Sequence, residues 1–186
     1  MNIGLLGFGV VGGGVWELAQ ENRALNVKKV LVRREAPPLG KAAVQDVEAI
    51  LRDTDIDTVV EVLGGLHPAY EWICRALAAG KDVVTANKAV ISAYYRELTA
   101  LAHENGAALR CTAAVGGGIP WLVNLQRCRR VDTVTEVGGI MNGTTNFIMD
   151  AMARQGADFP AVLQRAQELG YAEADPSADI DGDDIR

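Results

Sequence analysis

"IGLLGFGVVGGGV", residues 3–15, sets six glycines in a stretch whose other residues are all apolar. A flexible linker would be polar and would not follow Met1-Asn2-Ile3-Gly4-Leu5-Leu6, which reads as a short buried parallel strand. Val15, Trp16, Leu18 and Ala19 then recur at helical spacing, so the glycines fall at a strand-to-helix turn. Within that turn Gly7, Gly9 and Gly12 fit G-x-G-x-x-G. In a dinucleotide-binding unit Gly7 permits the tight turn, Gly9 lets the backbone approach a pyrophosphate, and Gly12 allows the helix to pack close to the strand. The phosphates then meet the helix N-terminus, where unpaired N–H groups and the helix dipole favour negative charge.

Strand and helix patterns continue to alternate downstream. Residues 27–34 read as a second strand, broken by "EAPPLGKAA" at 35–43. A short helix over Val47–Leu51 precedes a buried strand at Thr58–Leu63 that closes on Gly64-Gly65. A helix over Pro68–Ala79 stops at Gly80, and residues 81–91 form a strand running into a polar turn. A helix from about Tyr94 to Asn105 leads into a strand at 107–115. This alternation predicts an α/β fold, a Rossmann-like doubly wound parallel sheet. Ligand sites in such sheets lie at the carboxyl ends of strands, where Gly7–Gly12, Leu63–Gly65 and Thr85–Lys88 all fall.

The pattern changes after Val115. "GGGIP" (116–120) breaks it and a helix follows at Trp121–Gln126. Residues 131–152 read as a strand, a Gly/Asn/Thr turn and a helix, residues 158–170 as another helix, and the tail as an acidic loop. The expected domains are 1–112, dinucleotide-binding, and 113–186, the beginning of a second α+β domain.

The formal net charge of −6 argues against general nucleic-acid binding, which calls for a basic face. No apolar run is long enough for a membrane span, and Asn2 with Gly4 spoils a signal-peptide reading, so a cytoplasmic location is expected. Cys74, Cys111 and Cys128 are odd in number and far apart, so they suggest neither a disulfide framework nor a C-x-x-C metal knuckle. All three read as buried small apolar residues. At the end of the second strand, Arg33 and its neighbour Arg34 could hold a 2′-phosphate, which favours NADP; Glu35 leaves NAD open.

"GFGVVGGG", "VVEVLGG", "AGKDVVTANKA", "AAVGGGIP", "GIMNGTTNFIM" and "LGYAEADPSADIDGDD" together resemble, in order and spacing, the catalytic region of homoserine dehydrogenases. The likeness covers essentially the whole chain, and "TANKA", "NGTTN" and "GYAEADP" are far more specific than the glycine fingerprint. The resemblance implies reversible NAD(P)H-dependent reduction of L-aspartate 4-semialdehyde to L-homoserine, and a homodimer in the full-length enzyme.

It also implies residue roles. Gly7, Phe8, Gly9, Val10, Val11 and Gly12, with Arg33, Leu63, Gly64 and Lys88, are assigned to the cofactor. Lys88 in "TANKA" carries the role of a motif lysine that touches both cofactor and substrate, in a turn where burial would lower its pKa toward neutrality. Catalysis falls to Lys88 and Asp184. The substrate is assigned to Gly143, Thr144, Glu173, Asp179 and Asp184, with Glu173 and Asp184 placed to meet its ammonium. The family's proton-donating lysine follows the position matched by Asp184 and falls beyond Arg186. A monovalent cation such as sodium is implied at the backbone carbonyls of Val115, Gly117 and Ile119, but Thr112 stands where the family has a glutamate. The connection between Arg34 and Asp46 is shorter than usual in the family.

Other readings stay open. Another oxidoreductase of the same fold shares the glycine turn and a nearby lysine, and a nucleotide-binding module needs no catalysis. Ser177-x-Asp179-x-Asp181-Gly182 fits the opening of a calcium loop, although its first position is serine and its closing glutamate would lie past Arg186.

Overall fold

The computed structural model describes residues 1–34, 36–139, 142–172, 176 and 177. The chain forms two compact units, Met1–Gln126 and Arg127–Arg186.

The first unit runs β1 (Asn2–Leu6), α1 (Val10–Glu21), β2 (Asn26–Leu31), β3 (Ala43–Val44), α2 (Glu48–Leu51), β4 (Thr58–Glu61), α3 (Ala69–Ala78), β5 (Asp82–Thr85), α4 (Lys88–Glu104) and β6 (Leu109–Arg110). The six strands pair in parallel in the order β3-β2-β1-β4-β5-β6. Leu5 stands beside Val30 on one side and Val60 on the other. The chain leaves β1 toward β2 and β3, then returns to β4, so the winding reverses between β1 and β4. A crevice opens there at the carboxyl ends of the strands.

Alternation along each strand feeds two apolar layers. Ile3, Leu5, Val30 and Val60 join Ala19 and Leu39 on one face. Leu6, Val59 and Val83 join Ile50, Ile73, Leu77 and Leu98 on the other. Burial on both faces explains why the strands read as nearly continuous apolar runs. Gly4, inside β1, makes room for the covering helix: a Cβ there would stand 2.3 Å from Ile50 Cγ2.

Five expectations need correction. The helix expected from Tyr94 begins at Lys88, because the Asn87 side chain accepts from the Val90 N–H and caps it; Tyr94 is a kink inside it (φ −129°, ψ 15°). The second strand ends at Leu31, and the stretch expected only to break it also adds a strand. A 3-10 helix at Pro37–Ala42 leads into β3, too short for its own apolar pattern but held as Val32 N–H donates to the Val44 carbonyl.

In the second unit, residues 133–139 form no strand. Strand backbone needs a neighbour for its N–H and C=O groups, and among the described residues this unit supplies none. Its helices α6 (Gly143–Gln155) and α7 (Phe159–Glu168) pack through Ile148, Ala151 and Val162. Finally, only Cys111 is buried. Cys74 is half-buried, and Cys128 is exposed at the end of α5 (Trp121–Cys128), a helix with no buried residue.

Candidate functional site

The glycine turn takes the form its spacing predicts. Gly7 is buried with φ +107°, a conformation that L side chains rarely adopt, and a Cβ on Gly12 would collide with the Gly7 carbonyl oxygen. Gly9 differs: a Cβ there would meet nothing within 4 Å. Packing therefore does not demand glycine at Gly9, and what its bare backbone leaves is open space beside the start of α1. Gly9 is the N-cap of α1, no side chain caps it, and the first turn holds no acidic residue. Val10 and Val11 in that turn are exposed. The N-terminal amides of α1 are thus presented for an anion.

A cleft of about 820 Å³ opens at this point, within the range of small-molecule and cofactor sites. Gly7, Phe8, Gly9, Arg33, Leu63 and Gly64 all line it. Val10, Val11 and Gly12 sit on the adjoining turn of α1, and Lys88 is not among the lining residues. Arg33 and Arg34, both exposed, border the cleft just after β2. His67 and Trp72 also line it. Neither was assigned to the site from the sequence; the His67 imidazole Nδ1 lies 2.6 Å from Glu71 Oε1. An open cleft, the bare backbone at Gly9 and uncapped helix amides together fit a dinucleotide.

Lys88 is the first residue of α4 and is exposed, so the packing of this unit does not supply the burial expected of it. Behind it lies a buried polar network that the sequence did not announce. Glu61, at the end of β4, is fully buried. Its Oε1 accepts from the Leu63 N–H at 2.8 Å and from Asn87 Nδ2 at 3.4 Å, and its Oε2 accepts from the Thr85 hydroxyl at 2.6 Å. Asn87 Nδ2 also donates to the Gly65 carbonyl at 2.7 Å, and the Asn87 N–H donates to Thr85 Oγ1 at 3.0 Å. The one available signal was an acidic residue inside the apolar run "VVEVLGG".

Val115, Gly117 and Ile119 lie where the chain turns after a 3-10 helix at Thr112–Ala114. The Ile119 carbonyl already accepts from the Trp121 N–H at 2.7 Å, and Thr112 is exposed and carries no charge. This set fits a cation poorly. In the second unit, Asn142 caps α6 by accepting from the Thr145 N–H at 2.7 Å. Gly143 is exposed, whereas Thr144 is buried and its hydroxyl donates to the Tyr171 carbonyl at 2.6 Å. Glu173, Asp179 and Asp184, like Glu35, lie outside the described residues. Among the described residues no cluster of His, Cys, Asp or Glu could hold a metal ion, and no helix is long and apolar enough to cross a membrane.

Strand order, glycine turn and cleft define a dinucleotide-binding protein of the Rossmann type. The family model described as "Homoserine dehydrogenase, NAD binding domain" matches residues 7–112, and that described as "Homoserine dehydrogenase" matches residues 120–186. The chain belongs to the homoserine dehydrogenase family. It is 46% identical to the homoserine dehydrogenase of Synechocystis over 98% of this chain and 45% of that protein. For the Corynebacterium glutamicum enzyme the identity is 42%, over 99% of this chain and 44% of the relative. The crystal structure of a homoserine dehydrogenase from Thiobacillus denitrificans is similar with a TM-score of 0.84 at 38% identity, covering 97% of this chain and 45% of that one. A hyperthermophilic archaeal homoserine dehydrogenase in complex with NADPH gives a TM-score of 0.82 at 27% identity, covering 99% of this chain and 66% of that one. The chain thus spans less than half the length of the two curated relatives.

Proposed function

We propose that the protein serves reversible NAD(P)H-dependent reduction of L-aspartate 4-semialdehyde to L-homoserine, on the route to threonine and methionine. The observation that carries this reading is the uncapped start of α1 beside the open position at Gly9, in a chain matched along its length by homoserine dehydrogenases. Residues 1–112 form the cofactor domain and 113–186 the beginning of the substrate domain.

When bound, the nicotinamide cofactor supplies or accepts the hydride. The chain's own residues do the rest. The Gly7–Gly12 turn and the first amides of α1 hold the pyrophosphate, with Leu63 and Gly64 across the cleft. Arg33 pairs with a 2′-phosphate, which favours NADP over NAD; the archaeal relative's complex with NADPH supports this choice. Lys88 contacts cofactor and substrate from the first turn of α4. Gly143, Thr144 and Asp179 are assigned to the substrate, and Glu173 and Asp184 to its ammonium. A cation at Val115, Gly117 and Ile119 has no part in this reading, because the Ile119 carbonyl already accepts from the Trp121 N–H and Thr112 carries no charge. The full-length enzyme is a cytoplasmic homodimer with a small-molecule substrate and neither a nucleic-acid nor a membrane partner.

The test is NADPH formation from L-homoserine by the full-length enzyme. Lys88→Ala should lower kcat by about 10² to 10⁴-fold, the range for a positioned general acid or base. Cofactor binding without homoserine oxidation would instead favour another oxidoreductase of this fold.

A further inference from the structure

Gly7–Gly12 and Arg33 occupy the β1–β2 side of the crevice. On the other side, two loops follow strand ends: Val62–Gly65 after β4, and Ala86–Asn87 after β5. In folds of this kind the two halves of a dinucleotide lie on opposite sides of the point where the winding reverses. The nicotinamide half therefore falls to these two loops and to the start of α4.

One buried side chain joins them. Glu61 is 0% exposed, Thr85 0% and Asn87 4%. The Glu61 carboxylate takes the Leu63 N–H on one oxygen and the Thr85 hydroxyl on the other, at 2.8 and 2.6 Å. Thr85 Oγ1 in turn receives the Asn87 N–H, and the Asn87 side chain both donates to the Gly65 carbonyl and caps α4 at Val90. A carboxylate is expensive to bury. An apolar side chain at this strand end would fill the core at less cost, but it would leave the Leu63 N–H and the Thr85 hydroxyl without acceptors.

We propose that Glu61 is a positioning residue that sets the nicotinamide half of the cofactor site, by locking the Leu63–Gly65 loop to the helix start that carries Lys88. The inference rests on the dinucleotide reading above. Glutamine at this position keeps the shape but not the bonding. Its amide would either oppose the Leu63 N–H or leave the Thr85 hydroxyl without an acceptor. The damage is confined to the β4–β5 side, because none of these bonds reaches β2 or Arg33.

The experiment compares two ligands on the full chain by calorimetry: NADPH, and 2′-phospho-ADP-ribose, which keeps the adenosine side and lacks nicotinamide. Glu61→Gln and Thr85→Val should each bind NADPH about tenfold more weakly, the loss expected for one charge-assisted hydrogen bond, and bind the fragment as the parent does. Thr85→Ser should restore NADPH binding. If Glu61→Gln does not fold, the near-isosteric Thr85→Val carries the same comparison. Equal weakening of both ligands would mean that the network only holds the fold, and unchanged NADPH affinity would mean that it sets nothing; either overturns the proposal. Failure of the unaltered chain to bind NADPH would overturn the dinucleotide reading and this inference with it.

Discussion

Gly7 and Gly12 are in such close contact that a Cβ on Gly12 would stand 2.3 Å from the Gly7 carbonyl oxygen. The turn and the first helix are thus packed backbone to backbone. Gly12→Ala should cost about 1 to 3 kcal/mol of stability, the usual range for overpacking, visible as a lowered Tm. Gly9→Leu should behave in the opposite way. Its side chain enters open space, so Tm stays near that of the parent while NADPH binding is lost. A Gly9→Leu protein that still binds NADPH would remove the pyrophosphate from this turn.

Arg33 should discriminate between cofactors. It is exposed at the edge of the cleft, so Arg33→Ala should leave the fold intact. It should weaken NADP by about 1.5 to 3 kcal/mol, the value of a hydrogen bond to a charged group, and leave NAD nearly unchanged. Parallel titrations with the two cofactors read this directly, and equal losses would make Arg33 a surface charge only.

Asp57 links the chain's first strand to pH. Its carboxylate accepts from the Asn2 N–H at 2.9 Å and from the Thr58 hydroxyl at 2.7 Å. The Asn2 amide is the main reason that its pKa lies below the ordinary 3.8. A folded-state pKa below the unfolded value stabilises the fold above the unfolded value, and that contribution disappears as pH falls through the folded one. Asp57→Asn should therefore unfold more easily than the parent at neutral pH. In urea titrations the two should converge below about pH 4, whereas a constant gap down to strong acid would show that the effect is not ionisation of this carboxyl.

The three cysteines should label in order of exposure. Cys128 is exposed and should react first with iodoacetamide. Burial pushes the Cys74 and Cys111 thiols upward, so both should lag and accelerate only at more alkaline pH. Peptide mapping after timed labelling gives the order; early modification of Cys111 would contradict its burial in a cluster with Ile91 and Ala114.

Much of the fold was legible because its signals are local. The glycine turn, the apolar strands and the helix stops each lie within a few residues, and their alternation is enough for a parallel sheet. The start of α4 was legible too, had Asn87 been read as a cap three residues before Val90. β3 was not, because two residues hold no period and the strand exists only through its pairing with Val30 and Leu31.

What the sequence alone determined is the dinucleotide-binding turn and the family, since both depend on residue types at short fixed spacings. What only the tertiary structure decided is how polar groups far apart in the chain spend their hydrogen bonds. Glu61 reads as an interruption in an apolar strand until β4 and β5 pair and bring Thr85 and Asn87 to its carboxylate. Thr144 reads as a free hydroxyl in "NGTTN" until folding presents the carbonyl of Tyr171, 27 residues away. A buried polar group must find a partner somewhere in the fold, and which partner it finds depends on how the elements pack, which short-range spacing does not encode.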